Sequence, residues 1–503
     1  MPRLLGIDLG TSGLKAAVFD LDGNLLGLGR AQSQYLPGPP GWAEQDPRAW
    51  WTGCCRAVQE ALAQAGSPSD DLAAVGVCGF HHCPVFVDAA GEPVRPTIVT
   101  HDSRLGESLE GLRRSGILEN LAELSGSGVT TGHLPTIYHL VRSLDPGAID
   151  GTRWILLAKD YLRFRLTGQI GTELCDATGT HLIAMPEQDW SDNLCSLLRL
   201  PRGKLPQIHR SDEVAGYVTA EASQATGLRA GTPVVYGGGD SHCALLGLGV
   251  IGSAEAGLLL GTNSTLRASF AGPVGPSAQG VWIQQHVVPG RFTASASPMA
   301  GSSALAWFKD TCCQDLPAGP ASFRTLESLA AGVAAGCDGL LFHPYLFGER
   351  SPFYNPEARG AFLGIRHWHG RGHLVRSIME GVAFAIGNCL DALRVIARAR
   401  DEELTTIRTG QSGGSQLPLW RQIIADTLEQ ALEVVDVDEP GCLGASLLAG
   451  VGTGIYEDMP SAIRRTVRVT TRSLPDAPTA ALYRERRVAF NDVYRALEAR
   501  LYR

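Results

Sequence analysis

Apolar residues fall in short runs at the start of the chain. Leu4-Leu5-Gly6-Ile7-Asp8-Leu9 is one run and residues 14–19 are a second. Asp20-Leu21-Asp22-Gly23-Asn24 follows, and its Asp-Gly pair favours a tight hairpin. Leu25-Leu26-Gly27-Leu28 then begins a third run. The pattern predicts an antiparallel meander whose first two strands are joined by a glycine-containing loop. Asp46-Pro47 opens a helix through Trp50, Val58 and Leu62, with proline in the first turn. Residues 72–78 read as a buried strand. Thr232-Pro233-Val234-Val235-Tyr236 is another, running into Gly237-Gly238-Gly239-Asp240. Later, 420–428 reads as helix, 432–435 as strand and 443–456 as a small-residue helix. Phe490, Val493, Leu497 and Leu501 recur at helical spacing.

Part of the opening pattern returns half a chain later. Leu9-Gly10-Thr11-Ser12-Gly13-Leu14-Lys15-Ala16 resembles Leu260-Gly261-Thr262-Asn263-Ser264-Thr265-Leu266-Arg267-Ala268 with one residue inserted. A repeat at that period suggests duplication. With 503 residues the chain exceeds one core of roughly 100–200 residues. Two domains are expected, 1–248 and 249–503, divided at the glycine-rich stretch 247–253.

Composition narrows the function classes. Hydrophobic residues at 44% and charged residues at 19% belong to a globular chain, not a disordered one. Forty-three basic residues against 51 acidic ones give a net charge of −8, which offers nucleic acid or an anionic membrane no positive field. No apolar run approaches the roughly 20 residues that span a bilayer. Asp8 lies too early for a signal-peptide core, so a cytoplasmic protein is expected. The twelve cysteines include no C-x-x-C and no zinc spacing, and read as reduced, mostly buried small hydrophobes.

Four segments carry candidate chemistry. In the first, Asp8 ends a strand and can support Mg²⁺, usually through water. Gly10, Thr11, Ser12, Gly13 and Lys15 then offer backbone N–H groups, hydroxyls and a positive charge to phosphate oxygens. This loop joins two strands, unlike the phosphate loop that leads into a helix. In the second, Asp240 follows three glycines that would let a hydroxyl and a phosphoryl group come close. It is either a general base or the cap of the next helix. The third, Gly261, Thr262 and Asn263, repeats the donors without a counterpart to Asp8. The fourth, Gly413, Gly414 and Ser415, is a turn able to present a flat wall to a purine.

These motifs resemble the FGGY carbohydrate kinases, and the likeness runs from Ile7 to about Tyr456. Asp8–Lys15 is similar to the family's first phosphate motif and Gly238-Gly239-Asp240 to the segment of its catalytic base. Pro344-Tyr345-Leu346-Phe347-Gly348-Glu349-Arg350-Ser351-Pro352 and Ala358-Arg359-Gly360-Ala361-Phe362-Leu363-Gly364 look like its second-domain signature. Asp176-Ala177-Thr178-Gly179-Thr180 is similar to an Asp-x-Ser-Gly-Thr segment of members that act on ketopentoses.

The resemblance implies the actin-like ATPase fold, an α/β architecture of two duplicated ribonuclease-H-like domains around a cleft. The first would hold sugar and phosphate, the second the nucleotide. It also implies transfer of the γ-phosphoryl group of ATP, with Mg²⁺, to the terminal hydroxyl of a ketopentose, D-xylulose first. Homodimerisation is left open. His82, Asp102 and Arg104 fall on sugar-contacting positions. His81 replaces a Met, and Ser241 replaces the Asn that follows the base. The Trp-Asn-Asp-x-Arg-like segment appears as Thr100-His101-Asp102-Ser103-Arg104, without its tryptophan, and a Lys and a Trp are missing near Pro135-Thr136. Unpaired groups in a hydrogen-bonded sugar site cost about 1–3 kcal/mol each, so such changes can move specificity to ribulose, L-xylulose, erythritol or glycerol. A nucleotide-binding protein of actin or chaperone type is the alternative from another class.

Overall fold

A computed structural model of the protein describes residues 2–66, 71–125, 128–184, 188–253, 255–275 and 280–501. The chain forms two compact units. The first comprises Met1–Ile251, Gln284–Phe292 and Glu439–Val467; the second comprises Gly252–Ile283, Thr293–Asp438 and Arg468–Arg503.

The sheet of the first unit begins with the expected meander, β1 (Arg3–Leu9), β2 (Gly13–Phe19) and β3 (Leu25–Gln32). β4 (Leu72–Gly79), β5 (Val214–Tyr217) and β6 (Pro233–Val235) complete it in the order β5-β6-β4-β1-β2-β3. β1, β4 and β6 run parallel, whereas the other neighbours are antiparallel. The central strands bury both faces, which is why 72–79 is nearly continuously apolar.

Two helices cover those faces, and glycines decide how closely. The Pro47–Gln64 helix starts at Asp46, whose side chain accepts from the Arg48 N–H. It lies so near β3 that a β-carbon on Gly29 would meet the Ala57 carbonyl oxygen at 1.9 Å. On the other face the Pro440–Gly452 helix presses on β1 and β4. A β-carbon on Gly6 would sit 1.9 Å from the Cys442 carbonyl oxygen, and one on Gly76 1.9 Å from that of Ala445. This late segment therefore covers the face of β1 and β4 opposite the core formed by Leu5, Ile7, Val75 and Val77.

The second unit repeats the scheme. β7 (Glu255–Leu260) and β8 (Ser264–Ala271) form a hairpin in register from Glu255–Ser269 to Leu260–Ser264. β9 (Trp282–Gln285) and β10 (Arg291–Ala296) extend the sheet beyond β8. β11 (Thr406–Thr409) and β12 (Leu432–Val435) run parallel to β7 on its other side, and β13 (Val469–Ser473) closes that edge antiparallel. The antiparallel hairpin and the two further parallel strands stand in the same order in both sheets, so the half-chain repeat is architectural. The 28-residue Arg371–Arg398 helix forms the spine of this unit's core, with Ile378, Val382, Phe384 and Leu390 buried.

Ten of the twelve cysteines are buried and all are free thiols, as their spacing suggested. Among the described residues, no helix is long and apolar enough to cross a membrane.

Candidate active site

Strand register assembles the site of the first unit. Asp8 stands level with Cys78 on β4, and Cys78 is level with Gly238 on a short parallel extension, Gly238–Gly239. Three adjacent chain segments therefore end at one edge of the sheet. Asp8 and the Gly10–Gly13 loop leave the first, His81 and His82 the second, and Asp240 the third. Carboxyl ends of parallel strands are where open α/β sheets place their ligands.

Asp8 is partly open to solvent, yet its Oδ1 is sealed off and has no hydrogen-bond partner among the described residues. A side chain on Gly441 would come within 2.5 Å of Asp8 Oδ2. Burial, followed by the negative charge of Asp240, pushes the Asp8 carboxyl up to about 7. A sealed, unpartnered carboxylate oxygen beside a second carboxylate suits a hard divalent cation.

Residues 10–13 close the hairpin loop, with the Gly10 N–H donating to the Gly13 carbonyl at 2.8 Å. Ser12 is exposed and Thr11 half-buried, and the Thr11 carbonyl accepts from Gln45 Nε2 at 2.9 Å. Lys15 directs its Nζ to Glu439 Oε2 at 2.6 Å, and Arg30 holds the other oxygen of Glu439 at 2.6 Å. Glu439, which begins the returning segment, thus anchors the one cation of the loop. Nothing in the opening motif signalled that partner.

Asp240 is the first residue of the Asp240–Gly247 helix, whose cap is Gly239. Its Oδ1 accepts from the Ser241 N–H at 2.6 Å, and about a third of its side chain (35%) stays exposed. The three glycines do not leave room for substrate. His81 fills the space beside Gly239, Val287 and Cys243 fill that beside Gly238, and the Val77 carbonyl lies against Gly237, which has a φ of 78°.

The neighbouring histidines form a continuous group. Rings of His286, His242, His81, His82, His133 and His181 touch in that order. His81 Nδ1 lies 3.3 Å from Asp176 Oδ1, and its Nε2 lies 2.9 Å from Ser241 Oγ and 3.6 Å from Asp240 Oδ1. His82 has a φ of 65°, a left-handed conformation that a non-glycine residue seldom adopts. Its N–H donates to Asp176 Oδ1 at 3.3 Å, and its ring packs on Gly179.

Asp176 is fully buried in the short Leu174–Thr178 helix, beside Lys159. Burial alone would raise its carboxyl. Hydrogen bonds from His81 and His82 and the Lys159 charge outweigh that and hold it well below the usual carboxylate range. In the sequence Asp176 stands out only within the family motif, and Lys159 belongs to none of the candidate segments. A lysine within an otherwise apolar run (residues 154–158 before it) was the available signal.

Asp102 and Arg104 are brought to each other. Arg104 grips both carboxylate oxygens of Asp102, at 2.8 and 2.6 Å, and the Ala43 N–H adds a bond at 2.8 Å. Arg104 also reaches Glu44 and stacks over Trp42 at 3.7 Å.

The second unit holds a cavity of about 720 Å³. The β7–β8 turn lines it through Gly261 and Thr262, and the turn after β11 through Gly413 and Gly414. Trp307, Phe323 and Leu417 supply apolar walls. Ser302 was not singled out from the sequence, but it ties the two turns together. Its Oγ donates to the Leu260 carbonyl at 3.0 Å and accepts from the Gly414 N–H at 2.9 Å. Asn263 lies half-buried in the β7–β8 turn. Ser415 is buried with its Oγ 2.8 Å from Thr409 Oγ1, so it braces the turn from behind.

The chain is similar to known proteins along nearly its whole length. The N-terminal domain of the FGGY family of carbohydrate kinases matches residues 3–247 and its C-terminal domain residues 256–453. The chain is 31% identical over 502 residues to a xylulose kinase of Escherichia coli (strain K12), covering 98% of this chain and 99% of that one. It is 28% identical over 496 residues to the L-xylulose/3-keto-L-gulonate kinase of the same organism, covering 98% and 97%. The crystal structure of xylulose kinase from Rhodospirillum rubrum superposes with a TM-score of 0.89 at 27% identity, over 100% of both chains.

The fold is that of the actin-like ATPases, and the protein is a phosphotransferase that acts on a sugar hydroxyl and uses ATP. It belongs to the FGGY family of carbohydrate kinases. The reading as a non-catalytic actin- or chaperone-type protein falls with that membership.

Proposed function

We propose that the protein transfers the γ-phosphoryl group of MgATP to the terminal hydroxyl of a ketopentose, with D-xylulose the first acceptor, in the cytoplasm. The observation that carries this reading is the pairing of Asp8, with one carboxylate oxygen sealed off, and a partly exposed Asp240 at one sheet edge. Asp240 is the general base. Its carboxylate takes the hydroxyl proton late, because phosphoryl transfer passes through a loose transition state with little charge on the attacking oxygen.

Asp8 holds the magnesium ion, which neutralises phosphate charge when bound. Gly10, Thr11, Ser12 and Lys15 receive phosphate oxygens in the first unit. The cavity edged by Gly261, Thr262, Gly413 and Gly414 receives the nucleoside in the second, with Asn263 and Ser415 on the same turns. Its apolar walls suit a purine. His82, Asp102 and Arg104 orient the sugar, and His81 and Ser241 shape its reacting end.

A second reading changes only the acceptor. His81 and Ser241 stand where the family resemblance calls for Met and Asn, and both are tied into the cluster beside Asp240. That favours a ketose or polyol other than D-xylulose. Coupled ADP release over D-xylulose, L-xylulose, ribulose, xylitol, erythritol and glycerol tests both. D-xylulose should give the highest kcat/KM. A higher value for another sugar selects the second reading, and no turnover on any sugar rejects both.

A further inference from the structure

We propose that Asp176, His81 and Ser241 form a nucleophilic triad in which Ser241 accepts the γ-phosphoryl group of ATP when no sugar is bound. The proposal rests on the reading above for the arrival of that group beside Asp240.

The geometry is that of an activated hydroxyl. A buried carboxylate oxygen stands 3.3 Å from Nδ1 of an imidazole whose Nε2 stands 2.9 Å from a serine Oγ. Nucleophile and base within about 2.6–3.2 Å, with a third group orienting the base, is the signature of such a set, whatever the fold or residue order. Asp176 accepts from Nδ1–H, which leaves Nε2 as the acceptor for the serine proton. The imidazole is also confined. Its ring lies against Gly239, where a β-carbon would be 1.7 Å from Cε1. The groups facing it among the described residues include Asp176, His82, Asp240, Ser241 and His242, the last with Nδ1 3.0 Å from the same Nε2. Ser241 is half-buried.

Asp240, beside which the reading above brings the γ-phosphoryl group, lies 3.6 Å from the same base. A loose transition state asks little nucleophilicity of the acceptor oxygen. In the step, a lone pair of Ser241 Oγ forms the new P–O bond. The bond from the γ-phosphorus to the β,γ-bridging oxygen breaks, and ADP leaves with that electron pair. The serine proton passes to His81 Nε2, and Asp176 stabilises the imidazolium. The products are phosphoserine 241 and ADP.

The test incubates the full-length protein with γ-labelled MgATP without sugar, then locates label by intact mass and peptide mapping. The same preparation is assayed in parallel on the sugar panel. One phosphoryl group per chain on Ser241 is expected, none in Ser241→Ala, and a rate lowered about 10²–10⁴-fold in His81→Met. Asp176 is a positioning residue. Asp176→Asn should move the acid limb of the labelling rate to lower pH, because His81 loses the anion that favours its protonated form. A wild-type protein that phosphorylates sugar but carries no label on Ser241 overturns the triad and leaves the kinase reading standing. Label on Ser241 without turnover of any sugar upholds the triad and overturns the sugar reading. Undiminished labelling of Ser241→Ala also overturns the triad.

Discussion

The imidazole of His81 occupies the volume that a β-carbon at Gly239 would need, with Cε1 only 1.7 Å from that position. Histidine and glycine are thus one device, since the ring that meets Ser241 and Asp176 exists in its place only because residue 239 has no side chain. Gly239→Ala must push the ring off both partners. Stability should fall by about 1–3 kcal/mol, the usual range for overpacking, with sugar turnover falling too. Urea unfolding beside steady-state kinetics measures both, and an alanine variant as stable and active as wild type would contradict the placement.

Asp240→Ala removes the proposed base. Turnover of sugar should drop about 10²–10⁴-fold. Nucleotide binding should persist, because the cavity at Gly261 and Gly413 belongs to the second unit. Equilibrium binding of ATP and ADP-release kinetics separate the two effects.

The Asp8 carboxyl gives the protein a pH signature. Its value of about 7 in the fold lies above its ordinary 3.8, so the native state binds more protons than the unfolded chain between about pH 4 and 7. Stability contributed by this group is therefore present below pH 4 and lost as the pH rises to 7. Because Asp8 keeps some contact with solvent, the loss is about 1–3 kcal/mol. Asp8→Asn should remove that dependence, and Mg²⁺ should restore stability above pH 7 in wild type alone. Denaturant titrations at several pH values, with and without the ion, check the sign.

Lys159 neutralises a wholly buried acidic set, with Nζ 2.7 Å from Asp160 and 3.4 Å from Glu173. Lys159→Met would leave those carboxylates uncompensated. A loss of about 3–5 kcal/mol is expected, the cost of breaking a buried pair from one side. Thermal unfolding reads it directly.

Filling the cavity of the second unit should act on the nucleotide alone. Ala306 lines it beside Trp307. Ala306→Phe should raise the KM for ATP by about tenfold or more, equal to about 1.4 kcal/mol of lost binding, while KM for sugar holds. Equal changes in both constants would argue against a nucleotide in that cavity.

The strands and the hairpin repeat were legible because their signals are local. The Asp-Gly turn after Phe19, the apolar run at 72–79 and the paired Gly-Thr motifs each act over a few residues. The helix read over 443–456 begins at Pro440 and ends at Gly452, since its proline belongs to the first turn. The purpose of the Gly237–Gly239 run was misread, because only three dimensions show that His81 and Val287 fill it. The His81–Asp176–Ser241 contact joins three distant chain segments, and no periodicity marks it. Lys159 and Ser302 escaped for a similar reason: each takes its role from partners outside its own stretch of chain.

The Pro440–Gly452 helix bears on how the protein is made. It covers the face of β1 and β4, strands synthesised hundreds of residues earlier. Until the ribosome delivers it, those strands leave one apolar side bare. A nascent chain paused before residue 440 is therefore a natural client for chaperones, and a fragment ending at residue 251 should not stay dispersed by itself.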